Sequence, residues 1–415
     1  MKKKNSLIGS LFSIIGLMAI AGCTSTTTID DEELPVPNER KDIVLNWAER
    51  GIVSTQNAFS LRFFNEAAKH KAENMIVSPL SMSMALSMLS NGAVGDTRAE
   101  MLDALGFEDK DMDAVNTFNN RLMTELAAVD NTVVQSLANS IWIDYTASIK
   151  QPFIDDNKAA YSAEIFTDNL YGSESVDRIN KWCSDKTHGM IYPFLEAAPR
   201  CLIALYDALY FKGRWANPFD PANTSKGKFH NSDGSTSTVD MMRDEKTCIY
   251  GTFKDAVWVT LSYGNTAYRA VFIMPEENSG LSVDEYMASL TEAEFKEGLL
   301  AGNAVELDVS LPKFEISYKN KHMNSILYNI GFKKMFTDGD FSGITDTPLA
   351  FNVLQEAKIK LDEKGTEAAA VTGIHGYLSP GPIQKLSVIF DRPFAFLIKE
   401  YSTDAVLFMG RVSGF

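Results

Sequence analysis

The chain has 415 residues, 45% hydrophobic and 22% charged, with 54 acidic against 39 basic side chains and a net charge of −15. That length holds two average domains or one large one, and an acidic balance without a Lys/Arg stripe excludes a nucleic-acid surface. None of the five histidines sits in an HExxH pair, and GxSxG, Walker and GxGxxG patterns are missing. Carboxylate pairs and a triad of distant residues stay open, but nothing points to one. No enzyme, cofactor or metal is expected.

Taken in chain order, Lys2, Lys3 and Lys4 form a basic start, and Leu7 to Ile20 is apolar but short for a membrane span. Ile20-Ala21-Gly22-Cys23 resembles a bacterial lipobox, with Cys23 as the lipidated residue. A plain signal peptide with an incidental Cys23 is the alternative. Residues 1–22 are therefore expected to be removed, and an acylated Cys23 to hold the protein on a membrane of the bacterial cell envelope. The outer membrane is the expected site, with the protein surface-exposed or released. Residues 23–44, Thr/Ser-rich, then acidic, then containing Pro35 and Pro37, are expected to be a disordered tether. Cys183, Cys201 and Cys248, widely spaced and odd in number, predict free thiols.

From residue 45 to 415 no linker or repeat divides the chain, which predicts one domain. Ser78-Pro79 predicts a capped helix start, with Leu80, Met84 and Met88 on one face and Gly92 as its C-terminal glycine. Thr97 to Glu100 matches a capping box. Val305, Leu307, Val309 and Leu311 alternate with polar residues as a half-buried strand does. Buried strands are expected at Leu354 to Leu361, Leu386 to Phe390, Phe394 to Ile398 and Ala405 to Met409. Helices first and strands later predict an α+β fold.

Residues 363–385 form a connection too long for an ordinary loop of a compact domain. Gly365 to Ser379 contains no proline, as a central strand requires. Alternate residues from Thr366 (Ala368, Ala370, Thr372, Ile374, Gly376) carry no charge, so they could pass beneath a sheet. An ordinary flexible loop or a short Ala-rich helix fits the same composition.

Several runs now align in order with one family. Asn74 to Leu86 with Asn91 to Thr97, Leu137 to Trp142, Ile179 to Trp182 with Thr187 to Ile191, and Tyr210 to Trp215 resemble segments of serpins. So do Leu311 to Phe314, Gly331-Phe332, Asp340 to Ile344, and Asp391-Arg392-Pro393-Phe394. Glu363-Lys364-Gly365-Thr366-Glu367-Ala368-Ala369-Ala370 is similar to the serpin hinge. The resemblance implies an α+β fold of three β-sheets surrounded by about eight to nine helices. It implies an exposed reactive-centre loop over about residues 363–390, and a monomer. It further implies suicide inhibition of serine-type, and also cysteine, endopeptidases. A target protease cleaves the loop, stays attached as an acyl-enzyme, and is distorted as the loop enters the large sheet. The small residues Thr366 and Ala368 to Ala370 favour an inhibitor over a non-inhibitory surface-binding serpin.

Ser78, Ser81, Asp207, Trp215 and Gln355 match the family's shutter and breach positions, with two departures. Asp207 stands where serpins usually have Asn, and Gln355 where many have His. The two are expected to hydrogen-bond as a compensated pair. Hinge spacing places the cut after Ser379, but Pro380 follows. Leu378–Ser379 is therefore the expected reactive bond, with Tyr377–Leu378 the alternative and Lys385 a more distant option. An apolar or aromatic residue there implies chymotrypsin-, cathepsin G- or elastase-like targets.

Overall fold

The computed structural model describes residues 35–70, 74–107, 111–161, 163–366 and 386–415, apart from the side chain of residue 209. Helix α1 (Trp47–Ala68) begins at Asn46, whose side chain accepts from Glu49 N–H while the Glu49 carboxylate accepts from Asn46 N–H. After strand β1 (Met75–Val77), α2 (Pro79–Ser90) starts at Ser78 with Pro79 in its first turn, and all twelve of its residues are buried. Helices α3 (Gly95–Leu105) and α4 (Met112–Ala128) complete a helical opening third.

Two local expectations change here. Gly92 is not the left-handed terminator of α2, since α2 ends at Ser90 with Asn91 as its cap, and Gly92 has no positive φ. It permits close packing instead, because a Cβ there would lie 2.2 Å from Ile344 Cγ1. The capping box at Thr97 does not form, because α3 starts two residues earlier, after Val94. Thr97 Oγ1 accepts from Asp340 N–H at 2.7 Å and Glu100 Oε1 from Lys334 N–H at 2.5 Å, so both pin the segment around residues 334–340.

The chain continues through β2 (Val133–Asp144), α5 (Gln151–Tyr161), β3 (Glu164–Asp168), α6 (Glu174–Lys186) and β4 (Ile203–Arg214). Next come β5 (Ser225–His230), β6 (Thr236–Phe253), β7 (Ala256–Ser262), β8 (Tyr268–Pro275), α7 (Val283–Ser289) and α8 (Glu292–Leu299). The remainder is β9 (Asn303–Pro312), β10 (Phe314–Asn320), α9 (Met323–Asn329), β11 (Phe351–Asp362), β12 (Gly365–Thr366), β13 (Ser387–Ile389), β14 (Phe394–Glu400) and β15 (Val406–Val412). The strands expected from hydrophobic patterning are present, with ends displaced by a few residues.

One sheet has six strands in the order β10-β11-β12-β4-β2-β3, with β11 also pairing directly with β4. The other has nine, β1-β15-β14-β8-β7-β6-β9-β13 with β5 on β6. Ladder counting among the described residues thus gives two sheets where three were expected, because the 18-residue β6 pairs with β5, β7 and β9 and belongs to two layers at once. Helix α2 lies against β2, β4 and β15, between the sheets, which is why no face of it is polar. On the far side of the six-stranded sheet α6 packs Ile179 and Trp182 against Trp142 and Tyr206.

The stretch expected to be a disordered tether is docked from residue 36 onward. Asn38 and Asn131 exchange bonds, each backbone N–H donating to the other's Oδ1 at 2.9 and 3.0 Å, and Asn131 Nδ2 donates to Val36 O at 3.1 Å. Asn265 Nδ2 donates to Asn38 Oδ1 at 3.1 Å, Ile43 N–H donates to Ser402 Oγ at 2.8 Å, and Ile43 and Leu45 are buried. The apolar contacts of Ile43 and Leu45 and the paired asparagine amides outweigh the composition that suggested disorder. The three cysteines among the described residues, Cys183, Cys201 and Cys248, are free.

Candidate functional site

Strands β4 and β11 run parallel and pair directly from Ile203–Phe351 to Leu209–Ala357. Beyond that point they part, and β12 sits in the opening, antiparallel to both. Thr366 lies opposite Leu361 on one side and Gly213 on the other, and Gly365 opposite Asp362 and Arg214. The sheet therefore already holds the first two residues of an extra strand.

Their seat is closely fitted. Thr366 is fully buried, its Oγ1 2.7 Å from Tyr263 OH. Tyr263 stacks on Trp215 with ring centroids 4.4 Å apart and planes 13° apart. Trp215 donates from Nε1 to Asp362 O at 3.1 Å and from its backbone N–H to Lys364 O at 2.8 Å. Gly365 has φ +149°, and a Cβ there would fall 2.1 Å from Gly213 O, so only glycine fits. Glu363, just outside the sheet, pairs with Lys313 Nζ at 2.8 Å and accepts from Thr224 Oγ1 at 2.8 Å. Burial would raise its carboxyl pKa, but these two partners prevail and hold it below the ordinary carboxylate value.

Where β4 and β11 still touch, a polar latch lies underneath. Gln355 Nε2 donates to Asp207 Oδ2 at 2.6 Å and to Ser78 O at 3.0 Å, while its Oε1 accepts from Ser78 N–H at 3.1 Å. Ser81 Oγ donates to Asp207 Oδ1 at 2.6 Å and accepts from Asn139 Nδ2 at 3.1 Å. Ser78 Oγ donates to Leu407 O at 2.7 Å, tying the cluster to the second sheet. Asp207 is 2% exposed and has no cation among these partners. Burial pushes its carboxyl up to about 7 against the pull of the Ser81 and Gln355 hydrogen bonds.

Of the residues singled out by sequence, Ser78, Ser81, Asp207 and Gln355 meet in the latch, and Trp215, Glu363, Gly365 and Thr366 meet at the opening. Glu367, Ala368, Ala369, Ala370, Tyr377, Leu378, Ser379 and Cys23 lie outside the described residues. Sequence reasoning did not assign Tyr263, Thr224, Lys313 or Asn139 to the site. Lys313 and Asn139 stood inside matched runs; Tyr263 and Thr224 gave no local signal, because they meet the hinge only through the tertiary fold.

This is a mixed α+β protein whose central sheet is parted at one end and begun as a strand acceptor. The chain belongs to the serpin family: the family model for "Serpin (serine protease inhibitor)" matches residues 54–414. Serpin A3-1 of Bos taurus is 34% identical over 371 residues, covering 87% of this chain and 88% of that one. Iripin-2 of Ixodes ricinus is 30% identical, covering 89% and 96%. The native-state crystal structure of Tengpin, a thermophilic serpin, superposes with TM-score 0.82 at 29% identity over 92% of this chain and 98% of that one. Human thyroxine-binding globulin complexed with thyroxine gives TM-score 0.79 at 25% identity, over 88% of this chain and 99% of that one.

Proposed function

We propose that this chain is an irreversible inhibitor of serine-type, and also cysteine, endopeptidases, held on a bacterial envelope membrane through an acylated Cys23. The observation that carries the inhibitory reading is Thr366 seated between β4 and β11. Continued along both ladders, the register converges. Six residues after Thr366, Thr372 would oppose Asp207, six residues before Gly213 on β4, and also Gln355, six before Leu361 on β11. A threonine hydroxyl can donate to one and accept from the other as the strands separate and the Gln355–Asp207 bond is lost.

In the proposed reaction the protease serine hydroxyl attacks the carbonyl of the residue before the cut. The peptide bond breaks, its nitrogen leaves with a proton as a new amino terminus, and an ester joins inhibitor and protease. About ten new ladder bonds at about 1 kcal/mol each would release on the order of 10 kcal/mol on insertion, comparable with the stability of a whole domain. Leu378–Ser379 is the proposed reactive bond, with Tyr377–Leu378 next, for a chymotrypsin- or elastase-like protease. A monomer suffices for this chemistry.

A non-inhibitory binding protein is the second reading, favoured by the similarity to thyroxine-binding globulin. The deciding experiment mixes the protein with chymotrypsin, neutrophil elastase, cathepsin G, subtilisin and trypsin. Denaturing gels and mass spectrometry of the released C-terminal peptide follow. A covalent band at the summed masses is expected, and the peptide's first residue identifies the bond. Loop cleavage without a covalent band for any of the proteases would favour the second reading.

A further inference from the structure

Trp47 is 89% exposed, whereas the other four tryptophans, Trp142, Trp182, Trp215 and Trp258, are each at most 6% exposed. A large aromatic ring fully in water is unusual for a folded domain. Trp47 is not on a loose end, because the reciprocal Asn46–Glu49 bonds fix the first turn of α1 that carries it. Just before it the docked segment alternates, with Ile43 and Leu45 buried and Val44 75% exposed. Alternation explains why Val44 points outward, but an outward position would accept any polar residue. Leu300, 62% exposed, lines the same surface cavity as Val44 and Arg50. Val44 and Leu300 thus line one cavity, and the exposed Trp47 follows Val44 by three residues, in the first turn of α1.

The charge there also departs from the rest of the molecule. Across residues 39–50, Glu39, Asp42 and Glu49 are balanced by Arg40, Lys41 and Arg50, in a chain of net charge −15. Asp42 pairs with Arg40 at 2.9 Å and Glu49 with Arg121 at 2.5 Å, which leaves Glu39, Lys41 and Arg50 exposed, one positive charge in excess. Thirteen Cα–Cα steps lead from Cys23 to Val36, the first exposed apolar residue of the docked segment. Fully extended, they reach at most about 45 Å. An acyl group on Cys23 would therefore keep the start of the docked segment within that distance of the lipid. Tryptophan at a lipid–water boundary, flanked by aliphatic side chains and a neutral to basic rim, is a favourable arrangement. A lipid anchor also binds more stably when a second contact accompanies it.

We propose that Val44, Trp47 and Leu300 together rest on the bilayer to which Cys23 is acylated, and so fix the orientation of the body above the membrane. This rests on the lipid-anchor reading given above. The test uses the full-length protein, matured in a bacterial host and reconstituted into vesicles of phosphatidylethanolamine and phosphatidylglycerol brominated on the acyl chains. Mass spectrometry of the N-terminal peptide reports acylation of Cys23. The expected result is acylated protein whose tryptophan emission the bromines quench, with the quenching lost in Trp47→Phe and reduced several-fold in Val44→Ser/Leu300→Ser. Acylated protein with the same quenching in parent and Trp47→Phe, or none in either, overturns the orientation while leaving the anchor intact. A non-acylated Cys23 overturns the anchor reading and this proposal with it. A blue shift of Trp47 emission on raising protein concentration without lipid would assign the face to a second copy of the chain, and so overturn the proposal.

Discussion

Gln355 and Asp207 occupy the same register position of two parallel strands, and their side chains are joined beneath the sheet at 2.6 Å. The closed sheet is thus latched by an amide donor on one strand and a carboxyl acceptor on the other. A buried carboxyl without a cation is an expensive acceptor, and that cost makes the latch sensitive to pH.

Asp207 titrates near 7 in the fold against an ordinary 3.8. Between those values the native state holds a proton that the unfolded chain has released. Its contribution to stability is therefore full below about pH 4 and is lost as pH rises through about 7, at up to about 1.4 kcal/mol per unit. Asp207→Asn abolishes this slope, so the variant is expected to melt higher than the parent at pH 8 and close to it at pH 4. Melting temperatures of both proteins across that range check it. Identical curves for the two proteins, together with unchanged inhibition, would also sink the idea of a compensated Asp207–Gln355 pair.

The Tyr263–Thr366 bond is buried, so removing one hydroxyl strands the other. Tyr263→Phe and Thr366→Val are each expected to cost about 1–2 kcal/mol, and the double variant less than their sum. Chemical denaturation of the four proteins yields the coupling; additive costs would mean that the 2.7 Å contact contributes nothing.

Gly365→Ala places a methyl carbon on Gly213 O and forces an unfavourable φ on an L side chain. The expected outcome is expulsion of β12 from the opening. Hydrogen exchange at Thr366 N–H and Gly213 N–H should accelerate at least ten-fold while exchange in α2 stays slow. Unchanged protection at Thr366 would show that the opening can absorb the methyl group.

Asn131→Ala removes two side-chain acceptor or donor contacts to the segment around Val36 and Asn38. The segment is then expected to be cut by proteases between residues 36 and 42 several times faster, with a stability loss of about 1 kcal/mol. Limited proteolysis followed by N-terminal mass mapping decides it; no change in cutting rate would mean that Ile43 and Leu45 alone hold the segment down.

Hydrophobic period and capping chemistry were enough to locate α2, β9, β11, β14 and β15, since each buries a face that its own sequence displays. The latch was readable as a set of residues because Ser78, Ser81, Asp207 and Gln355 lie in runs that resemble the family. What could not be read was the depth to which the hinge is seated. That depends on Tyr263, Trp215 and the separation of β4 from β11, three long-range facts with no local signature. Thr97 and Glu100 matched a cap and were used elsewhere, because a side chain that can satisfy a helix end can equally hold a passing loop. The docked segment at 36–43 was missed for the opposite reason. Its composition is that of a linker, and its order comes from partners 93 and 359 residues away.

The buried Thr366 has a kinetic meaning. Starting a new strand in a closed sheet is the slow part of such an event, because two neighbours must separate before any ladder bond is gained. Here that separation and the first pairings already exist, and they fix the phase of whatever follows. Growth by one residue at a time can proceed only in the frame that Thr366 sets, since a slip of one position would turn every side chain to the wrong face. A single-residue deletion between 367 and 371 should therefore act as a frameshift in three dimensions: the composition is nearly unchanged, but every residue beyond the deletion falls on the opposite face.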